Sequence, residues 1–224
     1  MTSDRVEVAV QTAASFYIRQ VQAKIAMGEY AMESVSCFCG GTDSTQMTQQ
    51  DRYGFEYHMM LCKACGILYA NPRMTADAYQ EFYKNEYRLI YDHGFDRDAG
   101  FMRGVKCGEN LKSYLDDYGI TPNVIFDIGC NVGAWLKAFH DTGSTVLGVD
   151  YHGANTAYGR DHGLPIVEGG IDALEATGMK ADLVILNHVA EHFLDFEHEM
   201  ERVRALMAND GLLYMGVPGL YTWE

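Results

Sequence analysis

Four cysteines crowd into one stretch, as Cys37-Phe-Cys39-Gly-Gly and Cys62-Lys-Ala-Cys65-Gly66. Four thiolates meet the demand of tetrahedral Zn²⁺ with a closed coordination shell. The glycine after each pair lets the chain turn so that backbone N–H groups face the sulfurs. In a reducing compartment, clustered cysteines hold metal more often than they form disulfides. Between the pairs lies Tyr53-Gly-Phe-Glu-Tyr-His58, which has strand character. The segment therefore reads as a zinc ribbon carrying a structural ion. The first pair is one residue tighter than the second, so His58 stays open as a substitute for Cys37 or Cys39. The bland alternative is four buried thiols without metal. A catalytic zinc is disfavoured because four thiolates leave no open position. Cys107 and Cys130 stand apart from the cluster.

A second set of chemically capable residues sits at the ends of apolar runs in the carboxy-terminal half. The strand beginning at Asn123 ends in Asp127-Ile-Gly129-Cys130-Asn131-Val-Gly133, and the strand from Thr145 ends at Asp150, 23 residues after Asp127. Glycines 129 and 133 permit a tight turn and close approach of a ligand. A carboxylate at 150 suits both hydroxyls of a ribose. Asn131 stands where a dinucleotide loop places its second glycine. An acidic residue at the first strand end opposes a pyrophosphate but suits a ligand bearing an ammonium group. These features favour S-adenosylmethionine over a nicotinamide dinucleotide. Farther on, Asp182 to Asn187 leads into His188-Val-Ala-Glu191-His192. An imidazole titrates near 6.5, which suits a general base. The two histidines are four apart and are expected to share a helix face. The same letters spell an inverted zinc-peptidase pattern with Glu191 as base. That reading needs a third ligand and a long helix, whereas this motif directly follows a strand. Cys130 reads as a small filler in the loop rather than a nucleophile.

The elements that position these groups follow from periodicity. Apolar residues Val6, Val10, Ala13, Phe16, Tyr17, Val21 and Ile25 predict an amphipathic helix over 5–27. Helical patterns cover Thr75–Arg88, with Thr75 as N-cap, and roughly Asp96–Tyr118. Beyond 123, strands alternate with helices: helices at Trp135–His140 and 154–162, short strand Ile166-Val167, strand Asp182–Asn187 with a helix after it, and strand Gly211–Val217. Such alternation implies an α/β protein with a Rossmann-like, doubly wound parallel sheet. Its ligand is expected beyond the carboxyl ends of the strands. The divisions are a helix over 1–34, the ribbon over 35–72, a helical connector or lid over 73–120, and the sheet domain over 121–224.

The 224 residues include 17 basic and 31 acidic side chains, a net charge of −14. This balance opposes binding to nucleic-acid phosphates or an anionic membrane surface. No apolar run reaches the roughly 18 residues of a spanning helix, and Met1–Val10 lacks the pattern of a secretory signal. The expectation is a cytoplasmic protein without nucleic-acid or membrane partners.

Taken together, Asp127-Ile-Gly-Cys-Asn-Val-Gly133, Gly148-Val-Asp150 and Ala181–His192 resemble a class I S-adenosylmethionine-dependent methyltransferase. The amino half, with its Cys-Gly knuckles, Cys65-Gly-Ile-Leu-Tyr-Ala-Asn71-Pro-Arg73 and Phe82-Tyr83, resembles the zinc-ribbon branch of deoxysugar C-methyltransferases and surface-polysaccharide enzymes. The resemblance implies that Asp127, Gly129 and Gly133 line the methionine end of the cofactor, Asp150 holds the ribose, and Ile171 and Asp172 contact the adenine. It places Asn187 and His188 beside the sulfonium and His192 as general base. Cys130, Asn131 and Tyr151 are expected among the cofactor-binding residues. The implied acceptor is a small molecule or carbohydrate, a sugar nucleotide or glycan, methylated on oxygen or carbon. The family core has seven strands, and the sequence supplies five before Val217-Pro218. A fragment, a partner or second copy donating the missing sheet edge, and a non-catalytic scaffold relative are the three accounts of that difference.

Overall fold

The computed structural model describes residues 3–51, 54–91 and 96–218. The chain divides into two compact units, Met1–Phe95 and Asp96–Glu224. Tyr53 and the tail from Gly219 to Glu224, both part of the sequence expectations, lie outside the described residues.

The first unit contains α1 (Ser3–Ala26), β1 (Met32–Glu33), β2 (Ser44–Gln50), β3 (Glu56–Cys62), β4 (Leu68–Ala70), β5 (Arg73–Met74) and α2 (Ala76–Phe82). A π-helical turn (Tyr83–Tyr87) then runs into α3 (Arg88–Tyr91). Strands β2, β3 and β4 form an antiparallel sheet, and β1 pairs with β5. The core joins Ala14, Ile18 and Val21 to Tyr30, Phe55, Met74, Ala78, Phe82 and Ile90. Positions 14, 18 and 21 follow the i, i+4, i+7 spacing of one helix face. Phe16, expected to face inward, is 51% exposed. It lies two residues from both Ala14 and Ile18, on the opposite side of the helix. The side chains of Val6, Val10 and Ala13 lie outside the described residues.

The helix expected from Thr75 to Arg88 is not uniform. Thr75 occupies the N-cap position, but its side chain makes no capping bond. Its backbone N–H donates to the Ala31 carbonyl instead (3.0 Å). Ala78, Phe82, Glu86 and Ile90 recur every fourth residue and are buried. A strict four-residue repeat drifts around a 3.6-residue helix, and the wider π turn takes up that drift. Glu86 is thereby buried, with Lys24 Nζ at 2.6 Å and the Tyr30 hydroxyl at 2.5 Å donating to its two oxygens. Burial of a carboxylate demands such partners.

The second unit contains α4 (Arg97–Asp117), β6 (Val124–Ile128), a 3₁₀ turn (Ala134–Leu136) entering α5 (Lys137–His140), β7 (Thr145–Asp150) and α6 (Gly153–Asp161). After these come β8 (Ile166–Glu168), α7 (Ile171–Glu175), β9 (Ala181–Asn187), a 3₁₀ turn (Ala190–His192), α8 (Phe196–Leu206) and β10 (Met207–Gly216). The five strands are parallel, in the order β10-β9-β6-β7-β8. This is the expected Rossmann-like sheet. Strand β6 is flanked by β7 and β9, with Asp127 level with Gly148 and Ile185. The chain crosses from β8 to β9 over the middle of the sheet, so β6 and β9 mark the point where strand order reverses. Phe126, Ile128, Val149, Val184 and Leu186 are buried with Leu174, Val203 and Leu206 from the covering helices. Asp96 caps α4 by accepting from the N–H groups of Asp98 and Ala99 (3.0 and 3.1 Å). Helix α4 packs on the 3₁₀ turn after β6 through Gly104 and Gly108. A Cβ at Gly108 would lie 2.3 Å from the Trp135 carbonyl oxygen, so this approach requires glycine. The stretch 135–140, expected as one helix, begins as a 3₁₀ turn under that contact. Among the described residues no helix is long and apolar enough to cross a membrane.

Candidate functional site

The carboxyl ends of β6, β7 and β9 gather the polar residues. Asp127 ends the apolar run of β6 and is 2% exposed. No hydrogen bond or ion pair satisfies its carboxyl group among the described residues. Burial, then the Asp150 charge, raises its pKa well above the usual carboxylate range. The turn that follows reverses tightly. The N–H groups of Gly129 and Cys130 both donate to the Val149 carbonyl (2.8 and 3.0 Å), and Gly133 donates to Cys130 (2.8 Å). Gly129 and Gly133 have φ of 69° and 71°. A Cβ at Gly129 would sit 2.4 Å from the Val189 Cγ2, and one at Gly133 would sit 2.3 Å from the Ile166 Cδ1. Both positions thus need glycine for conformation and for space. Cys130 is buried against Gly148, and burial raises its thiol pKa, which leaves it inert as a nucleophile.

Asp150 ends β7 opposite this turn. Its Oδ2 accepts from the Asn131 N–H (2.9 Å) and its Oδ1 from the His152 N–H (2.8 Å). A carboxylate offers about four acceptor positions, so each oxygen keeps one for a further donor. Asn131 adopts φ +55°, the left-handed region that asparagine tolerates. Its side-chain oxygen accepts from Asn155 Nδ2 (2.6 Å), and Asn155 Oδ1 accepts from Arg97 Nε (2.9 Å). Tyr151 is 79% exposed, with its hydroxyl over Gly170 beside Asp172. Ile171 opens α7 and is buried in the sheet core, which directs its side chain away from the strand tips.

Asn187 closes β9, with its side-chain oxygen over Gly216 of β10. His188 has φ +56° and donates its backbone N–H to the Gly216 carbonyl (2.8 Å). Its ring lies 3.4 Å from Glu191 Oε1. The two histidines do not share a helix face, contrary to expectation: His188 is left-handed and only Ala190–His192 form a 3₁₀ turn. The inverted-peptidase reading loses the helix it requires. Burial lowers the pKa of His192; Glu191 opposes that shift and His188 adds to it. A neutral imidazole with a depressed pKa can accept a proton near neutral pH.

The structure thus brings Asp127, Gly129, Asn131, Gly133 and Asp150 together, with Val189 closing over the glycine turn. Sequence reading missed Asn155, His152, Arg97 and Val189. An asparagine within a helix is the sole signal that Asn155 carried. The shallow depressions of this unit, lined by Lys112, Pro122, Asn123 and Ser144 or by Asn123, Asp182 and Leu212, open at the opposite, amino-terminal ends of the strands. They hold none of the expected residues.

In the first unit, Cys37, Cys39, Cys62 and Cys65 place their sulfurs within 4.8 Å of one another. Cys37 and Cys65 are 3.5 Å apart, and Cys39 and Cys62 are 3.6 Å apart. Zn–S bonds of about 2.3 Å in a tetrahedron require sulfurs roughly 3.8 Å apart, so the donor set fits that ion. Backbone N–H groups face the sulfurs, as at Gly41 and Cys39 (3.4 Å). Gly41 itself must lack a Cβ, which would lie 2.9 Å from the Cys62 sulfur. Cys39 rather than His58 completes the cluster; the His58 ring lies against Glu56 Oε1 (3.4 Å).

Among solved structures the chain is similar to the plantazolicin methyltransferase BpumL in complex with SAH, at 17% identity and TM-score 0.49. That match covers 61% of this chain, which spans 55% of BpumL. A SAM-dependent methyltransferase from Archaeoglobus fulgidus is 21% identical over 60% of each chain (TM-score 0.44). Coclaurine N-methyltransferase bound to N-methylheliamine and SAH is 17% identical, over 50% of this chain and 35% of that one (TM-score 0.41). No curated protein matches the chain. The family profile described as a methyltransferase domain matches residues 100–222, more than half of the sequence. With the glycine turn and all five parallel strands inside that span, the chain belongs to the methyltransferase-domain family.

Proposed function

We propose that the protein transfers a methyl group from S-adenosylmethionine to a small or carbohydrate acceptor, a sugar nucleotide or glycan. The observation that carries the cofactor assignment is the buried carboxyl of Asp127 at the end of β6, without a partner among the described residues, beside a turn with no room for a side chain at Gly129 or Gly133. A buried unpaired carboxyl is costly, and an ammonium group supplies the missing counter-charge. When bound, the cofactor contributes an already activated methyl electrophile. Asp127 with the backbone of Gly129, Cys130, Asn131 and Gly133 then receives the methionine end. Asp150 holds the ribose diol through its two remaining acceptor positions. Tyr151 and Asp172 border the adenine, with the backbone of Ile171 beside them. Asn187 and His188 stand at the end of β9 beside the reacting centre, and His192 removes the acceptor proton. Alignment supplies most of the rate, because methyl transfer needs little beyond orientation. Zinc held by the four thiolates serves the ribbon structurally.

The carbohydrate acceptor rests on the resemblance of the ribbon and its Tyr69-Ala-Asn71-Pro-Arg73 continuation to the deoxysugar branch. Calorimetry of the whole chain with S-adenosylhomocysteine tests the cofactor assignment. Binding in the micromolar range is expected; no heat at high micromolar concentration overturns it and favours a scaffold that retains only zinc. Methyl transfer from labelled cofactor to a panel of nucleoside-diphosphate sugars tests the acceptor, and labelling of peptides alone would overturn it.

A further inference from the structure

The glycine turn and the carboxylate at 150 are joined by a hydrogen-bonded chain that begins on another helix. Arg97 Nε, at the start of α4, donates to Asn155 Oδ1 (2.9 Å). Asn155 Nδ2 donates to Asn131 Oδ1 (2.6 Å), and the Asn131 N–H donates to Asp150 Oδ2 (2.9 Å). Asn155 is 1% exposed, and both ends of its amide are engaged. Its backbone N–H donates to His152 Nδ1 (3.2 Å), and the His152 N–H donates to the second oxygen of Asp150 (2.8 Å). Asn155 therefore reaches one oxygen of Asp150 through its side-chain amide and Asn131, while its backbone N–H, which any residue at 155 would supply, braces the His152 side of the other. A neighbouring tie holds α4 in place, since Tyr158 donates to Asp98 Oδ1 (2.5 Å).

Two features set this arrangement apart from generic packing. Asn131 has φ +55°, a conformation that costs energy for a residue with a side chain and persists where its surroundings hold it. Arg97 stands in the first turn of α4, where the helix dipole disfavours a cation. Each residue occupies a locally unfavourable state, and the chain of hydrogen bonds accounts for both.

We infer that Asn155 and Arg97 are positioning residues for the cofactor's ribose. They lock Asn131 in its left-handed state so that its N–H orients Asp150 with one acceptor site of each oxygen aimed at the diol. This rests on the proposed cofactor assignment and goes beyond it, because neither residue need touch the ligand.

A double-mutant cycle on the whole chain tests the inference, with S-adenosylhomocysteine affinity as readout and thermal midpoints as a folding control. Asn155→Ala removes the lock and should weaken binding about tenfold, the scale of one or two hydrogen bonds. In an Asp150→Asn background the same change should weaken it less than twofold, because the group it orients is already altered. Arg97→Met, at the exposed helix start, should weaken binding about threefold with the fold intact, and it carries the test if Asn155→Ala does not fold. Equal losses in both backgrounds, or unchanged affinity in Arg97→Met and Asn155→Ala, overturn the inference while native binding leaves the cofactor assignment standing. Absence of binding by the native chain overturns the cofactor assignment, and the positioning role falls with it.

Discussion

The thiol cluster and the glycine-turn crevice hold their polar groups in opposite ways. The four sulfurs come from two short knuckles, point at a common centre and leave no open direction. The crevice draws Asp127, Asp150 and Asn187 from three strands. Among the described residues it leaves one carboxyl buried without a partner and another with half its acceptors unused. A closed donor set suits a resident ion. An open set stores unsatisfied polarity for a molecule that comes and goes. The second unit tolerates this because a buried apolar cluster that includes Phe126, Ile128, Val149, Val184 and Leu186 supports the strands that carry the site.

That contrast is broken most severely at the cysteines. Cys62→Ser, or chelation, should release about one zinc per chain and unravel β2–β4. Structural zinc supplies roughly 10–16 kcal/mol of apparent folding energy in small zinc peptides. Metal analysis and circular dichroism read the loss, and zinc kept by Cys62→Ser but lost by His192→Ala would relocate the metal site.

Gly129→Ala should cost about 2–4 kcal/mol, combining a strained φ with a Cβ driven into Val189. A denaturant midpoint shifted by less than about 1 kcal/mol would show that Val189 yields and that the turn is looser than the contrast requires.

Asp127→Asn sharpens the contrast by moving two quantities in opposite directions. Folding raises the Asp127 pKa, so its favourable protonated form is present at acid pH and is lost as pH rises through the elevated value. At neutral pH the carboxyl opposes folding. Its replacement should therefore stabilise the ligand-free protein by about 1 kcal/mol, or roughly 2–4 °C, while weakening S-adenosylhomocysteine binding. Destabilisation together with unchanged binding would remove the stored-polarity account.

The smallest effect is the titration of His192. Burial depresses its pKa, so its ring should titrate below 6.5 by NMR in the free protein. Its contribution to stability is present at neutral pH and is lost as pH falls through 6.5 toward that depressed value. A midpoint above 6.5 would show a solvent-exposed or carboxylate-dominated ring.

Much of this was legible in the sequence because the relevant groups are local. The parallel sheet follows from short apolar runs alternating with helical patterns, and the turn from Gly129 and Gly133. The clustered cysteine pairs pointed to a tetrahedral donor set, although the tighter first pair left His58 open as a ligand. Phe16 was misplaced because apolar character does not say which side of a helix meets the core. His188 and His192 were misplaced because four-residue spacing aligns side chains only where the backbone is helical, and His188 is left-handed.

By itself the amino-acid sequence determined most of the elements, the glycine turn, the carboxylates closing β6 and β7, and the clustering of the cysteines. Each depends on residue type and spacing within a few neighbours. The tertiary structure alone decided that Asp127 has no partner among the described residues, that Cys39 rather than His58 completes the cluster, and that Arg97 and Asn155 reach Asp150 through Asn131. Those outcomes depend on packing between segments as many as 58 residues apart, and no local pattern records which side chains such packing brings within hydrogen-bonding distance.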